Sequence, residues 1–278
     1  MLMRKTVKDI KAMKAGGQRI TMLTAYDAAM ASLFASCEVD ILLVGDSLGM
    51  VVLGYDSTVP VTMADMLHHA AAVRRGAPGV FVLCDMPFGS YHTGVRDAVI
   101  NGLRIMKEAG SDAVKLEGGI EMCPVVKGLV EAGVPVMGHI GLTPQTAGQL
   151  GGFKVQGKDI EAARRLLAEA RALEEAGAFA LLIECVPSGL ARVISSVVSI
   201  PTVGIGAGVD CDGQVLVGHD LLGMYERFQP KFVKHYASLS PLIKAAVAEF
   251  SREVRNGSYP DAEHSFADST DYQRLLQE

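Results

Sequence analysis

The chain has 278 residues, of which 49% are hydrophobic and 30 are glycine, and its formal net charge is −5. This composition argues against intrinsic disorder, and an acidic balance without a lysine and arginine block argues against nucleic acid as a partner. Five scattered cysteines favour reduced thiols, and no apolar stretch approaches the roughly 18 residues that a membrane span needs. The sequence therefore predicts a soluble, cytoplasmic protein that is not bound to a membrane.

Short apolar runs alternate with segments of helical periodicity along the chain. The runs predict strands over residues 20–25, 40–44, 80–84, 112–116, 134–138, 180–183, 202–205 and 214–217. The periodic segments predict helices over residues 6–16, 28–35, 63–73, 95–109, 123–132, 160–173, 190–198 and 242–254. Thr62 is placed to cap the third helix. Residues 48–60 are typical of a long loop or a small hairpin.

Alternation of strands and helices predicts parallel strands joined by right-handed crossovers. Eight such units in this length favour a closed (β/α)8 TIM barrel over an open doubly wound sheet. No linker divides the chain, so we expect one catalytic domain over residues 1–278, with an N-terminal helix and a polar C-terminal tail over residues 255–278. Because the tail ends in the apolar pair Leu275 and Leu276, we expect it to cross to a neighbouring subunit.

Polar residues follow five of the predicted strands at the points where the strands end. In a barrel these carboxyl ends surround one mouth, where the active site lies. The residues are Asp46 with Ser47, Asp85, Lys115 with Glu117, His139 and Glu184. One acid after a strand is usually a helix cap or a loop residue, but five strands that end in this way indicate a site.

Lys115 and Glu117 are two residues apart, so both side chains leave the same face of their strand. Burying such charges is tolerable only with partners or a metal. The pair is therefore either a structural ion pair or two members of one site. Lys115 could also form a Schiff base, although nearby carboxylates keep a lysine protonated and non-nucleophilic.

The three acids Asp46, Asp85 and Glu117 cannot all be ionised close together without a cation. Oxygen ligands without a cluster of cysteine and histidine favour a hard ion, most simply Mg²⁺. A metal beside a lysine suits a 2-keto acid, because both can stabilise its enolate. Glu184 would then be the free base, and His139 is either a hydrogen-bonding group near the site or a core histidine.

Several longer motifs resemble those of the ketopantoate hydroxymethyltransferase family. They are Asp-Ser-Leu-Gly-Met at 46–50, Gly-Tyr-Asp-Ser-Thr at 54–58, Pro-Val-Thr at 60–62, Asp-Met-Pro-Phe-Gly-Ser-Tyr at 85–91, Val-Lys-Leu-Glu-Gly at 114–118, Met-Gly-His-Ile-Gly-Leu-Thr-Pro-Gln at 137–145, Gly-Ile-Gly-Ala-Gly at 204–208 and Glu-His-Ser-Phe at 263–266. They occur in the order of the family and span nearly the whole chain.

The resemblance implies a transferase that uses 5,10-methylenetetrahydrofolate to hydroxymethylate 3-methyl-2-oxobutanoate in pantothenate and coenzyme A biosynthesis. The products would be 2-dehydropantoate and tetrahydrofolate, formed through a Mg-bound enolate. The resemblance further implies a homo-oligomer, as a decamer, and folate entry over residues 48–60.

The resemblance also assigns roles to the strand-end residues. It implies that Asp46 and Asp85 are Mg²⁺ ligands and that Glu117 completes the metal site. Asp46, Ser47, Asp85 and Lys115 would hold the ketoacid, and Glu184 would accept the proton. Lys115 would then stabilise charge, without acting as a Schiff-base nucleophile.

Two other functions stay open on the sequence alone. One is another Mg-dependent ketoacid enolate enzyme, of the phosphoenolpyruvate mutase or isocitrate lyase type. The lyases carry a reactive cysteine in a Gly-rich motif, whereas Cys84 and Cys185 lie inside apolar runs. The other is a non-catalytic metal- or ligand-binding barrel with a scaffold role. Five strands that end in polar residues would be unusual in such a protein.

Overall fold

The computed structural model describes residues 4–148, 151–227 and 229–276. In this part of the chain, eight parallel strands form a closed barrel in sequence order, with the last strand paired to the first. The strands are β1 Ile20–Thr24, β2 Ile41–Val44, β3 Phe81–Asp85, β4 Ala113–Glu117, β5 Val136–Gly141, β6 Ala180–Glu184, β7 Thr202–Ile205 and β8 Gly213–Leu216. The predicted (β/α)8 barrel is confirmed.

Helices separate the strands along the chain. They are α1 Val7–Ala15, α2 Ala28–Ala35, α3 Leu48–Val51, α4 Met63–Gly76, α5 Val95–Ala109, α6 Cys123–Glu131, α7 Ile160–Glu175, α8 Ser188–Val197, α9 Gly218–Leu221 and α10 Leu239–Asn256. Thr62 caps α4 as predicted, because its side chain accepts from the N–H of Asp65 and the Asp65 carboxylate accepts from the N–H of Thr62. None of the described helices is both long and apolar enough to cross a membrane.

Alternate residues of each strand belong to two different cores. In β4, Ala113 packs inside the barrel with residues such as Leu83 and Met137. Val114 and Leu116 belong instead to the larger core that includes buried residues of the surrounding helices. Since successive side chains of a strand point in opposite directions, Lys115 and Glu117 project inward with Ala113. The fold thus directs two charged groups into the barrel.

The first helix covers the end of the barrel where the strands begin. Ile10 and Met13 of α1 are buried in the same cluster as Ile20 and Ile41, the first residues of β1 and β2. Lys14 fastens the end of α1, because its Nζ lies 3.0 Å from the Asp212 carboxylate. The barrel is therefore closed opposite the carboxyl ends of its strands.

Two predicted segments differ from the structure. Residues 48–60, predicted as a long loop or a small hairpin, begin with a one-turn helix, α3, and continue as a loop without a hairpin. The helical turn forms because Leu48 and Val51 lie three residues apart and both pack on the core. β5 begins at Val136, since Pro135 cannot donate to a strand ladder, and it continues to Gly141. His139 consequently lies inside its strand and not after it.

The last helix is longer than predicted and exposes an apolar side. Ser240 is the one residue of α10 that is buried in the described part of the chain, whereas Leu242, Val247 and Phe250 are 65%, 58% and 54% exposed. Residues 254–276 are exposed as well, in keeping with a polar tail. The crossing of Leu275 and Leu276 to a neighbouring subunit stays a prediction.

Candidate active site

A cavity of about 370 Å³ opens where the strands end. All seven residues that the sequence singled out line its wall: Asp46, Ser47, Asp85, Lys115, Glu117, His139 and Glu184. Because they lie in or shortly after β2 to β6, the closed barrel brings them to one place. The structure thus confirms that these residues meet at one cavity, and their individual roles depend on the contacts described next.

The two aspartates from β2 and β3 form the acidic end of the cavity. Asp46 is 4% exposed and Asp85 is 3% exposed, and the Asp46 backbone N–H donates to Asp85 Oδ2 at 3.0 Å. Burial and the charges of Asp85 and Glu117 raise the pKa of Asp46 well above its usual range. Burial also raises the pKa of Asp85, against the opposing charge of Lys115. Two negative charges here require a cationic partner.

Lys115 lies at the centre of the buried charges. Its Nζ is 2.9 Å from Asp85 Oδ1 and 3.2 Å from His139 Nδ1. Burial alone would lower the pKa of Lys115, but the carboxylates of Asp85, Glu117 and Asp46 raise it. Lys115 is therefore a fixed cation that pairs with Asp85. The simple ion pair between Lys115 and Glu117, one of the two readings of the sequence, does not form.

Glu117 is held on both of its oxygens. Oε2 accepts from the Gln145 backbone N–H at 3.0 Å, and Oε1 lies 3.5 Å from His139 Nδ1. Burial acts to raise the pKa of Glu117, yet His139, Lys115 and the Gln145 N–H together lower it. Glu117 therefore stays ionised although it is 4% exposed.

His139 bridges the two glutamates of the site. Its Nε2 lies 3.2 Å from Glu184 Oε2, on the other side of the ring from Glu117. Burial and Lys115 act to lower the pKa of His139, whereas its contacts with the carboxylates of Glu117 and Glu184 raise it to about 9. This position identifies His139 as a hydrogen-bonding group of the site. Glu184 ends β6 and keeps 16% of its side chain exposed to the cavity.

Ser47 borders the same cavity through a contact with β1. Its Oγ lies 2.8 Å from the Oη of Tyr26, which is 2% exposed. Tyr26 lies two residues after the last residue of β1, which pairs with β2, so the two hydroxyls join neighbouring strand ends. The Ser47 hydroxyl is thereby held at the edge of the acidic end.

Two further residues of the site had no role in the sequence analysis. Gln145 Nε2 donates to Asp46 Oδ2 at 2.8 Å and to the Met86 carbonyl at 2.9 Å. Tyr91 Oη donates to Gln145 Oε1 at 2.6 Å and accepts from the Glu117 N–H at 3.1 Å. Both residues belong to the motifs at 85–91 and 137–145, which was the signal available, but neither directly ends a predicted strand.

The donor set fits a hard cation that keeps other ligands. Among residues 4–148, 151–227 and 229–276, no three His, Cys, Asp or Glu side chains are arranged to hold a metal by themselves. Mg²⁺ commonly binds through one or two carboxylates, with water and substrate oxygens as its remaining ligands. The buried pair of Asp46 and Asp85 meets that requirement. Burial and the neighbouring carboxylates raise the pKa of Asp46, and a bound cation would favour its ionised form.

Known proteins resemble the chain over nearly its full length. The family model described as ketopantoate hydroxymethyltransferase matches residues 4–262. A Desulfotalea psychrophila protein named 3-methyl-2-oxobutanoate hydroxymethyltransferase is 66% identical over 274 residues, which cover 99% of this chain and 98% of that protein. A Heliobacterium modesticaldum protein of the same name is 60% identical, covering 94% of this chain and 95% of its own length.

Solved structures of lower identity share the barrel. Phosphoenolpyruvate phosphomutase from Streptomyces platensis subsp. rosaceus has a TM-score of 0.62 at 16% identity, covering 98% of this chain and 96% of its own. Phosphonopyruvate hydrolase, solved with oxalate and Mg²⁺, has a TM-score of 0.59 at 15% identity, with coverages of 98% and 95%. At these identities the likeness establishes the fold alone. The family model and the 66% identical relative decide between the alternatives: the chain belongs to the ketopantoate hydroxymethyltransferase family.

Proposed function

We propose that the chain catalyses the transfer of a hydroxymethyl group from 5,10-methylenetetrahydrofolate to 3-methyl-2-oxobutanoate, with the use of one water. The products are 2-dehydropantoate and tetrahydrofolate, in pantothenate biosynthesis. The observation that carries this proposal is the arrangement of a buried cation, Lys115, between a pair of aspartates and a glutamate that faces the cavity, in a chain of this family.

Asp46 and Asp85 are the proposed Mg²⁺ ligands, and Glu117 is the third acidic group of the metal site. When bound, Mg²⁺ supplies Lewis-acid polarisation of the ketoacid. The support is the buried, closely placed pair of carboxylates, which come from adjacent strands. Glu117 is already engaged with Gln145 and His139, so it adds negative charge while its own position is fixed by the protein.

Lys115 and Ser47 are proposed to bind the ketoacid together with the two aspartates. The ammonium of Lys115 attracts the substrate carboxylate and stabilises the negative charge that develops on the keto oxygen when the C3 proton leaves. Preorganisation supports this role, because the ion pair with Asp85 already fixes Lys115 in place. The Ser47 hydroxyl is held in the same way by Tyr26.

Glu184 is the proposed base that removes the C3 proton. It lines the cavity, is partly exposed there, and is oriented by His139 Nε2 at 3.2 Å. The C3 electrons then form a bond to the methylene carbon of the folate as one of its two C–N bonds breaks. Water breaks the second C–N bond and leaves its hydroxyl on the product, while the proton from C3 and the remaining proton of the water go to the two folate nitrogens. Since His139 also contacts Glu117, one histidine links the base to the acidic end of the site.

Hydrogen exchange at C3 tests the proposal without the folate. Purified protein with Mg²⁺ and 3-methyl-2-oxobutanoate in D₂O should exchange the C3 hydrogen. Glu184→Gln should keep ketoacid binding and lose exchange by roughly 10²- to 10⁴-fold, because general-base catalysis contributes about that much. Glu161→Gln, in the first turn of α7, is the matched control and should exchange normally.

Two outcomes of this experiment contradict the proposal. If the wild type exchanges no C3 hydrogen, with or without the folate, the assigned chemistry is wrong. If Glu184→Gln abolishes binding of Mg²⁺ or ketoacid, Glu184 belongs to the binding machinery and another group is the base.

A homo-oligomer, as a decamer, and a cytoplasmic location are part of the same proposal. The exposed apolar side of α10 supports assembly, because Leu242, Val247 and Phe250 are each more than half exposed in one copy. Light scattering should give a mass well above the 29.5 kDa of one chain. Phe250→Glu should lower that mass, whereas a monomeric wild type would contradict the assembly.

A further inference from the structure

The wall of the cavity has two unlike halves. The groups proposed to bind Mg²⁺ and the ketoacid come from the strands β2 to β6. The other half, formed by β7, β8 and the chain after β8, is mainly apolar, with Ile205, Val215, Val217, Tyr225 and Phe232. A five-carbon ketoacid on the polar half occupies only part of the 370 Å³, so the apolar half has room for a second ligand.

Asp220 is the carboxylate of this apolar half. It lies in α9, four residues after the end of β8, and it lines the cavity. Within the part of the chain that the structure describes, no side chain or backbone N–H donates to its carboxylate or forms an ion pair with it. Burial raises the pKa of Asp220 to about 6, opposed by the charge of His235. The carboxylate is therefore available to a ligand that carries hydrogen-bond donors.

The ketoacid cannot be that ligand. It carries a carboxylate and a keto oxygen, which are acceptors, so it offers no hydrogen bond to Asp220 and repels it. The ring end of a reduced folate has the opposite character. It is flat, its two faces suit apolar walls, and one edge presents a ring N–H beside an amino group. Two neighbouring donors match the two oxygens of a carboxylate.

The apolar half also begins beside the proposed base. Glu184 of β6 is the register partner of Ile205 of β7, and the wall continues from there through β8 to Asp220. A ring that spans this half therefore lies next to the carbon from which Glu184 removes a proton. Met50 and Val51 of α3 line the cavity as well, in keeping with the expected folate entry over residues 48–60.

We propose that the Asp220 carboxylate binds the ring end of the folate co-substrate, by accepting hydrogen bonds from its ring N–H and its amino group. This inference rests on the proposed function and deepens it, because it assigns the second substrate to the β7–β8 half of the same cavity.

The test separates folate binding from ketoacid chemistry. Asp220→Asn replaces one acceptor oxygen by a donor. It should raise the KM for methylenetetrahydrofolate and the Kd for tetrahydrofolate by about 10- to 100-fold, the value of one to two charge-assisted hydrogen bonds. C3 exchange without folate and the KM for the ketoacid should stay within about twofold of wild type. Asp220→Glu, which keeps the carboxylate, should lose less folate affinity than Asp220→Asn.

Asp210→Asn is the matched control. Asp210 lies in the connection between β7 and β8, and its carboxylate accepts from Arg192 Nε at 2.9 Å, away from the residues that line the cavity. This variant removes one negative charge outside the cavity and should leave both folate constants within about twofold of wild type. An equal loss of folate affinity in Asp210→Asn and Asp220→Asn would show that the effect comes from the overall charge of the protein. That result would overturn the proposal.

Folates with different numbers of glutamates in the tail distinguish binding of the ring end from binding of the anionic tail. Asp220→Asn should raise the KM of the monoglutamate and of the triglutamate by the same factor. A gain in affinity that grows with the number of glutamates would place Asp220 beside the anionic tail and overturn the proposal. Unchanged folate constants, or a loss of folate-free exchange, would overturn it too. If the wild type itself shows no exchange, the proposed function fails instead.

Discussion

The side-chain amide of Gln145 donates to Asp46 Oδ2 at 2.8 Å, although 99 positions of sequence separate the two residues. The backbone N–H of Gln145 donates to Glu117 Oε2 at 3.0 Å, so one residue holds acids from two different strands. Tyr91 fixes the orientation of the amide by donating to its Oε1. Gln145 thereby sets the spacing between the acidic groups that are proposed to bind Mg²⁺.

We expect Gln145→Leu to weaken Mg²⁺ binding in the presence of the ketoacid by about 10- to 100-fold, the usual cost of losing a partner that orients a metal ligand. The backbone N–H to Glu117 remains, so the loss reports on Asp46. Calorimetric titration with Mg²⁺ measures it. Gln18→Leu, at an exposed position at the opposite end of the barrel, is the control. Wild-type Mg²⁺ affinity in Gln145→Leu would show that Asp46 is positioned by other groups.

Lys115 should act as a charge and not as a nucleophile. Burial acts to lower its pKa, but three carboxylates raise it, so the amine stays protonated. Borohydride reduction with the ketoacid should therefore leave the protein mass unchanged. Lys115→Met should reduce C3 exchange by roughly 10²- to 10³-fold, which is typical for the loss of one group that stabilises developing negative charge.

A control variant and a thermal melt complete the test of the role of Lys115. Lys127→Met, at an exposed position of α6, is the control for loss of a surface lysine. A thermal melt of Lys115→Met shows whether the unpaired Asp85 has destabilised the fold. A reduced adduct at Lys115 would establish the Schiff-base route.

His139 should make the stability of the metal-free protein depend on pH. Burial and Lys115 act to lower its pKa, yet Glu117 and Glu184 raise it to about 9, against 6.5 for an unperturbed histidine. Protonated His139 thus contributes stability that is fully present below pH 6.5 and is lost as the pH rises through 9. The shift corresponds to on the order of 3 kcal/mol.

Urea denaturation of wild type and His139→Gln at several pH values measures this contribution. Between pH 6.5 and 9 the free energy of unfolding of the wild type should fall toward that of the variant. Parallel curves would mean that the His139 proton is not coupled to folding.

The sequence predicted the barrel because each strand and helix has a local pattern, and the closed topology then forced five strand ends together. Local patterns also explain the errors. Pro135 shifted the start of β5, and the packing of Leu48 produced a helical turn at the start of the segment that was predicted as a loop or a small hairpin. The role of Gln145 could not be predicted from spacing, since it depends on a contact between distant strands. Asp220 follows the last predicted strand, and only the cavity shows what surrounds it.

Helix α1 closes the end of the barrel where the strands begin, and this bears on the order in which the substrates bind and the products leave. With Ile10 and Met13 in the interior cluster, ligands exchange at the other end of the barrel. Lys115 and Glu117 are 3% and 4% exposed, deeper than the half-buried Asp220. We therefore expect the ketoacid to bind before the folate, and tetrahydrofolate to leave before 2-dehydropantoate. A non-reactive folate analogue should inhibit competitively against folate and uncompetitively against the ketoacid, whereas random entry would give a noncompetitive pattern against the ketoacid.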